Sequence, residues 1–126
     1  MSEPLILLVE DREDNRVLAR KLLERAGFRV VEATDGREAL EQVAAQRPDL
    51  LLLDMSLPVV DGWTVARTLR QSPDFKDLLI VALTAHAMDG DRERVLEAGC
   101  DEFLTKPIEV AKFIPTIRRI LERRRP

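Results

Sequence analysis

Five polar side chains, Glu10, Asp11, Asp54, Thr84 and Lys106, each stand at or just past the carboxyl end of a short apolar run. If those runs are strands of one parallel sheet, the groups converge on a single rim, because ligand sites in open α/β sheets form beyond the carboxyl ends of the strands. Three carboxylates beside one ammonium leave a surplus of negative charge, tolerable only with a bound cation or a retained proton. A donor set made only of oxygens favours a hard ion. Few carboxylates in a shallow cleft suit Mg2+, with Mn2+ as an acceptable substitute. Asp54 closes a run that reads as a buried strand, the position best placed to attack a phosphoryl group held by that ion and become an aspartyl phosphate. Lys106 can neutralise one phosphoryl oxygen as a point charge, and the Thr84 hydroxyl can donate to another.

Such a rim needs a scaffold. Residues 5–9, 50–53 and 78–83 are continuous apolar runs, the pattern of strands covered on both faces, and residues 28–31 and 103–105 are weaker strand candidates. Helical spacing fills the intervals: Val17, Leu18, Leu22 and Leu23; Ala39, Leu40, Val43 and Ala44; Val65, Ala66 and Leu69; Val95 and Leu96; Phe113, Ile114, Ile117, Ile120 and Leu121. Gly27 and Gly99 fall where a left-handed residue closes a helix, and Asp35 with Glu38 forms a capping-box-like start. Pro48 and Pro73 sit where helices have stopped, and Pro58 with Asp61-Gly62 marks the loop after the third strand. Five strand–helix units predict a doubly wound α/β fold, with residues 1–126 forming a single domain.

Composition agrees. With 126 residues, 45% hydrophobic and 34% charged, the chain can bury one core and is not a disordered sequence. A net charge of −3 gives no general attraction for nucleic acid. Arg118, Arg119, Arg123, Arg124 and Arg125 crowd the end without aromatic residues to stack on bases, so they read as a helix end or a solvated face. One cysteine, Cys100, and one histidine, His86, exclude an internal disulfide and a zinc cluster. No apolar run reaches the roughly 20 residues of a membrane span, and the first residues lack the basic start of a secretory signal, so a cytoplasmic protein is expected.

Together these residues resemble the receiver domains of two-component response regulators: the acidic pair Glu10-Asp11, Asp54, Pro58, Asp61-Gly62, Thr84-Ala85 and Lys106-Pro107. Any one of these motifs is weak; in combination they are specific, and they span nearly the whole chain. The resemblance implies a flavodoxin-like, five-stranded parallel sheet of order 2-1-3-4-5 with five helices. It implies that Asp54 accepts phosphate from a histidine kinase or histidine phosphotransfer protein. It further implies that Glu10, Asp11, Asp54 and the backbone carbonyl of Ser56 hold Mg2+, and that Thr84 and Lys106 bind the phosphoryl group. Lys106-Pro107 is expected to be cis. Phe103 matches the switch aromatic of the family, which with Thr84 reshapes the face of the fourth helix, fifth strand and fifth helix; as a residue on its own it is equally compatible with ordinary packing. Residues 82–108 resemble stand-alone cell-cycle receivers of the DivK type and the receivers of hybrid kinases.

The departures from the family pattern are informative. Phe103 has no hydroxyl, so any switching there works by packing. Ser56 and His86 stand two residues past Asp54 and Thr84 and flank the path of water to an acyl phosphate, where they would tune its lifetime, although His86 also reads as an exposed loop histidine. Cys100 reads as a small buried residue and Trp63 as packing. The expected protein is a phosphoacceptor without turnover on a separate substrate. It would be monomeric or weakly dimeric, with no membrane or nucleic-acid partner, and would signal to a protein partner in trans or be a fragment of a hybrid kinase or larger regulator. Two rivals share parts of this reading. A flavodoxin-like FMN carrier shares the architecture, but its phosphate loop would meet Glu10, Asp11, Glu13 and Asp14. A Mg2+-dependent aspartyl phosphatase shares the chemistry, but its usual second Asp is Ser56 here.

Overall fold

A computed structural model describes residues 3–85 and 91–123. In chain order the elements are β1 (Leu5–Val9), α1 (Glu13–Arg25), β2 (Arg29–Ala33), α2 (Gly36–Gln46), β3 (Leu50–Asp54), α3 (Gly62–Gln71), a 3-10 turn (Pro73–Phe75), β4 (Leu79–Thr84), α4 (Asp91–Glu97), β5 (Glu102–Thr105) and α5 (Val110–Arg123). The five strands are all parallel and lie in the order β2-β1-β3-β4-β5, the doubly wound arrangement expected.

Successive residues of a strand face opposite ways, so each apolar run serves two cores. Leu7, Val9, Leu51, Leu53, Ile80 and Ala82 pack with Ala39 and Val43 of α2, Val65, Ala66 and Leu69 of α3, and Val95 of α4. Ile6, Leu8, Leu50, Leu52, Val81 and Leu83 pack with Ala19 and Leu23 of α1 and Phe113, Ile117 and Ile120 of α5. Leu50 to Leu53 are fully buried, and truncating any of them to Ala would cost about 2–5 kcal/mol. The site at the end of β3 therefore stands on the one strand among the described residues that is buried at every position. Among the described residues no helix is long and apolar enough to cross a membrane.

Two local differences from the sequence reading have physical causes. Phe28 does not open β2. Its amide donates to Leu23 O (3.1 Å) while Gly27, at φ 95°, donates to Glu24 O (3.0 Å), so Phe28 closes α1 in a Schellman motif and the strand begins at Arg29. The same geometry ends α4, where Gly99 (φ 108°) donates to Leu96 O and Cys100 to Val95 O. Val17 and Leu18 fit the helical spacing but are 40% and 39% exposed, because the buried stripe of α1 runs through Ala19 and Leu23. Pro115 lies inside α5 on its exposed side, where the hydrogen bond it cannot donate is lost next to solvent.

Candidate functional site

Each candidate side chain is placed by the strand that precedes it. Glu10 extends β1 by one ladder bond, its amide donating to Ala33 O at 3.1 Å, and this draws its side chain into the sheet rim, where it is 1% exposed. Asp54 is the last residue of β3, paired with Leu83, and is also 1% exposed. Asp11 follows Glu10 and is exposed. Carboxylate oxygens of Glu10, Asp11 and Asp54 lie within 4.8 Å of one another.

Lys106 reaches this cluster from β5. Its amide donates to Thr84 O (2.8 Å), which anchors the backbone, and its ammonium donates to Glu10 Oε1 at 3.2 Å and pairs with Asp54 Oδ2 at 3.1 Å. The Lys106-Pro107 peptide is cis. The remaining oxygens are held by backbone: Ser56 N donates to Asp54 Oδ1 (3.0 Å) and Arg12 N to Glu10 Oε2 (3.1 Å). Thr84 ends β4 and is buried, one residue past the partner of Asp54. Phe103 pairs with Ala82 and packs, half-buried, against the core under α2, α3 and α4. His86 lies outside the described residues, as do Arg124 and Arg125.

The charges strain one another. Burial pushes the Glu10 carboxyl above its ordinary 4.5, the Arg12 amide pulls it back, and the neighbouring Asp54 pushes it up again. Burial alone would lower the Lys106 ammonium, but the hydrogen bond and charge of Asp54, then Glu10, outweigh it and hold it above 10.5. One lysine is thus shared between two buried acids while a third waits at the surface. An oxygen-only set of this spacing fits a hard divalent cation, which would relieve the surplus charge.

Two contributors went unread in the sequence. Arg16 donates Nη1 to Glu10 O at 3.1 Å and pairs through Nε with Glu32 Oε2 at 3.4 Å, bracing the β1 end from α1. Val59 adopts φ 69° with Val60 N donating to Pro58 O at 2.8 Å, a γ-turn beside the Asp54 loop that leaves Val59 75% exposed. Arg16 is legible as a base four residues past Arg12 on a helix, whereas a β-branched residue carries no signal for a left-handed turn. Trp63, at the start of α3, lies under the Arg94 guanidinium at 5.3 Å, a packing role.

Residues 6–118 match the response regulator receiver domain. The chain is 40% identical over 116 residues to the polar-differentiation response regulator DivK of Brucella anthropi, covering 92% of this chain and 94% of that one. Its fold is similar to the receiver domain of the sensor histidine kinase PA1611 of Pseudomonas aeruginosa, whose structure holds a magnesium ion in the active site cleft. There the TM-score is 0.87 at 36% identity, with 96% and 99% of the two chains covered. The receiver domain of a signal transduction histidine kinase of Syntrophus aciditrophicus superposes with a TM-score of 0.86 at 32% identity, over 94% of this chain and 90% of that one.

Proposed function

The chain belongs to the response regulator receiver family, and on that premise we propose that it is a Mg2+-dependent phosphoacceptor whose acceptor is Asp54. Receiver domains are signalling modules rather than turnover enzymes; they work with histidine kinases or phosphotransfer proteins and with downstream partners. The observation that carries the specific reading is the cluster of Glu10, Asp11 and Asp54 carboxylates, two of which, Glu10 and Asp54, share the Lys106 ammonium.

In this reading an Asp54 oxygen attacks the phosphorus of a phosphohistidine. The new O–P bond forms as the P–N bond breaks, and the electron pair stays on the donor imidazole. The carboxylates of Glu10, Asp11 and Asp54 and the carbonyl of Ser56 would hold Mg2+, as the oxygen-only donor set allows. When bound, the ion offsets charge on the phosphoryl oxygens and orients them for in-line transfer. Lys106, already aimed at Asp54 Oδ2, turns to a phosphoryl oxygen, and the Thr84 hydroxyl donates to another. Burial of Asp54 keeps bulk water from the acyl phosphate, and Ser56 and His86 set how fast water reaches it. Phe103 repacks as Thr84 moves, changing the face of α4, β5 and α5 for a protein partner in trans.

Residues 1–126 act as one receiver unit in this account. The receivers of histidine kinases among its structural relatives favour one alternative, a receiver that belongs to a hybrid kinase. Acetyl phosphate with Mg2+ is expected to add one phosphoryl group to the wild type, seen by intact mass, and none to Asp54→Asn. Labelling that persists in the variant would overturn the assignment.

A further inference from the structure

The β3–α3 loop meets α2 backbone to backbone. Gly36 opens α2, and its amide donates to Pro58 O at 3.4 Å. A Cβ built on Gly36 would lie 1.7 Å from Val60 O and 2.6 Å from Val60 C, where real Cβ atoms essentially never come under 3.0 Å. On the other side of the loop, a Cβ on Gly62 would lie 2.6 Å from Asp54 O. The segment between is stiff: Met55 and Leu57 are buried, Pro58 has a fixed φ, and Val59 is held in a left-handed γ-turn that a β-branched residue adopts only under constraint. At its start Ser56 donates its amide to Asp54 Oδ1.

We infer that the first turn of α2, through the Gly36–Val60 contact, is a positioning part of the phosphoacceptor site, setting where Ser56 stands against Asp54. The inference rests on the proposed reading of Asp54 and Ser56. Gly36 touches no reacting atom; it acts by fixing the loop from behind. Any side chain at this position displaces Val60 by more than an ångström, and the buried Leu57 and rigid Pro58 carry that displacement back to Ser56. Misplacements of this size cost transfer reactions about 10²-fold. Coupling is reciprocal, so an ion bound by Ser56 O and the carboxylates must in turn steady the Gly36 amide.

Backbone amide exchange in the wild type, followed by NMR with and without MgCl2, tests this directly. Mg2+ is expected to slow exchange at Gly36 by about tenfold, along with Asp11 and Ser56. Gly27, in a turn with open space around it, should not respond. Protection at Asp11 and Ser56 with none at Gly36 would overturn the inference. No response at any of them would overturn the phosphoacceptor reading itself, and the inference with it. As a second arm, Gly36→Ala should label from acetyl phosphate at least about tenfold more slowly and need more Mg2+ for half-maximal rate. Gly27→Ala, which strains the backbone at φ 95° but meets no neighbouring atom, should label as the wild type does. Equal rates in folded Gly36→Ala and Gly27→Ala would also overturn it.

Discussion

At the carboxyl ends of the strands three carboxylates crowd together and two of them share one lysine, whereas at the amino ends Asp49 and Asp101 each bond a strand amide outside any such cluster. Asp49 Oδ2 accepts from Leu5 N at 2.7 Å, and Asp49 N returns a bond to Leu5 O, stitching β1 to β3. Asp101 Oδ2 accepts from Ile80 N at 2.8 Å and from Arg70 Nη2 at 2.6 Å. Arg70 also donates to the carbonyls of Gly99, Phe75 and Lys76, so one guanidinium joins α3, the 3-10 turn and the α4–β5 connection. The same sheet thus carries a rim whose charges are satisfied and a rim whose charges are left in deficit. The first secures the fold; in the proposed reading the second keeps electrostatic energy available for an ion and a phosphoryl group.

The largest expected effect lies at the satisfied rim. Arg70→Leu removes all four of those hydrogen bonds and leaves the partly exposed Asp101 with the Ile80 amide, and we expect a loss of about 2 kcal/mol of stability with labelling of Asp54 unchanged in the folded fraction. Urea denaturation paired with acetyl phosphate labelling measures both. A loss below about 1 kcal/mol would place Arg70 among ordinary surface ion pairs, and a loss of labelling at full stability would join the two rims that are here held separate.

Only part of this contrast was legible in the sequence. The deficit rim could be read because strand ends announce themselves: β1 and β3 are unbroken apolar runs, and the residue that ends such a run has its direction set by the sheet. The satisfied rim could not. The partners of Arg70 lie 5, 6, 29 and 31 residues away, distances that no local period marks. Glycine conveyed its left-handed role at Gly27 and Gly99 but not its role at Gly36, where close approach of another backbone, rather than φ, forbids a side chain. Helical spacing placed Val17 and Leu18 with the core, yet a period names a stripe without saying how wide it is.

A smaller effect of the opposite sign is expected at the deficit rim. Asp54→Asn removes one of three crowded carboxylates while Lys106 keeps Glu10, so the variant should be more stable than the wild type by about 1 kcal/mol in EDTA. Glu10 gives the pH signature. Its carboxyl is raised above 4.5 by burial and, after the opposing Arg12 amide, by Asp54, so just above pH 4.5 the folded chain holds a proton that the unfolded chain has lost. Stability of the metal-free protein must then fall as pH rises through that window. Mg2+ should flatten this slope, and Asp54→Asn should reduce it. Denaturation midpoints across the acid range decide the matter. A variant less stable than the wild type would show that the Asp54–Lys106 pair outweighs the repulsion, and that this rim is not in deficit.

The smallest effect at neutral pH belongs to Cys100, which lies between Gly99 and Asp101 at the satisfied rim. Burial pushes its thiol up to about 12, against a downward pull from Arg70 and a further push from Asp101. The folded chain therefore keeps the thiol neutral while the unfolded chain ionises from pH 9.0 upward, and stability is lost as pH rises above that value. Lys106 is held above 10.5 and contributes its own loss only beyond that point, so the interval from 9.0 to 10.5 isolates the thiol from it. Wild type minus Cys100→Ala should show no pH dependence between pH 6 and 8, and a relative loss of about 1 kcal/mol by pH 10. Because the thiol lies far in sequence from the acidic cluster and is packed in the α4 cap, Mg2+ should leave this difference untouched while it flattens the acid limb. A difference that already slopes at pH 7 would mean that solvent reaches Cys100 and that the amino-end rim is as open as the one it is contrasted with.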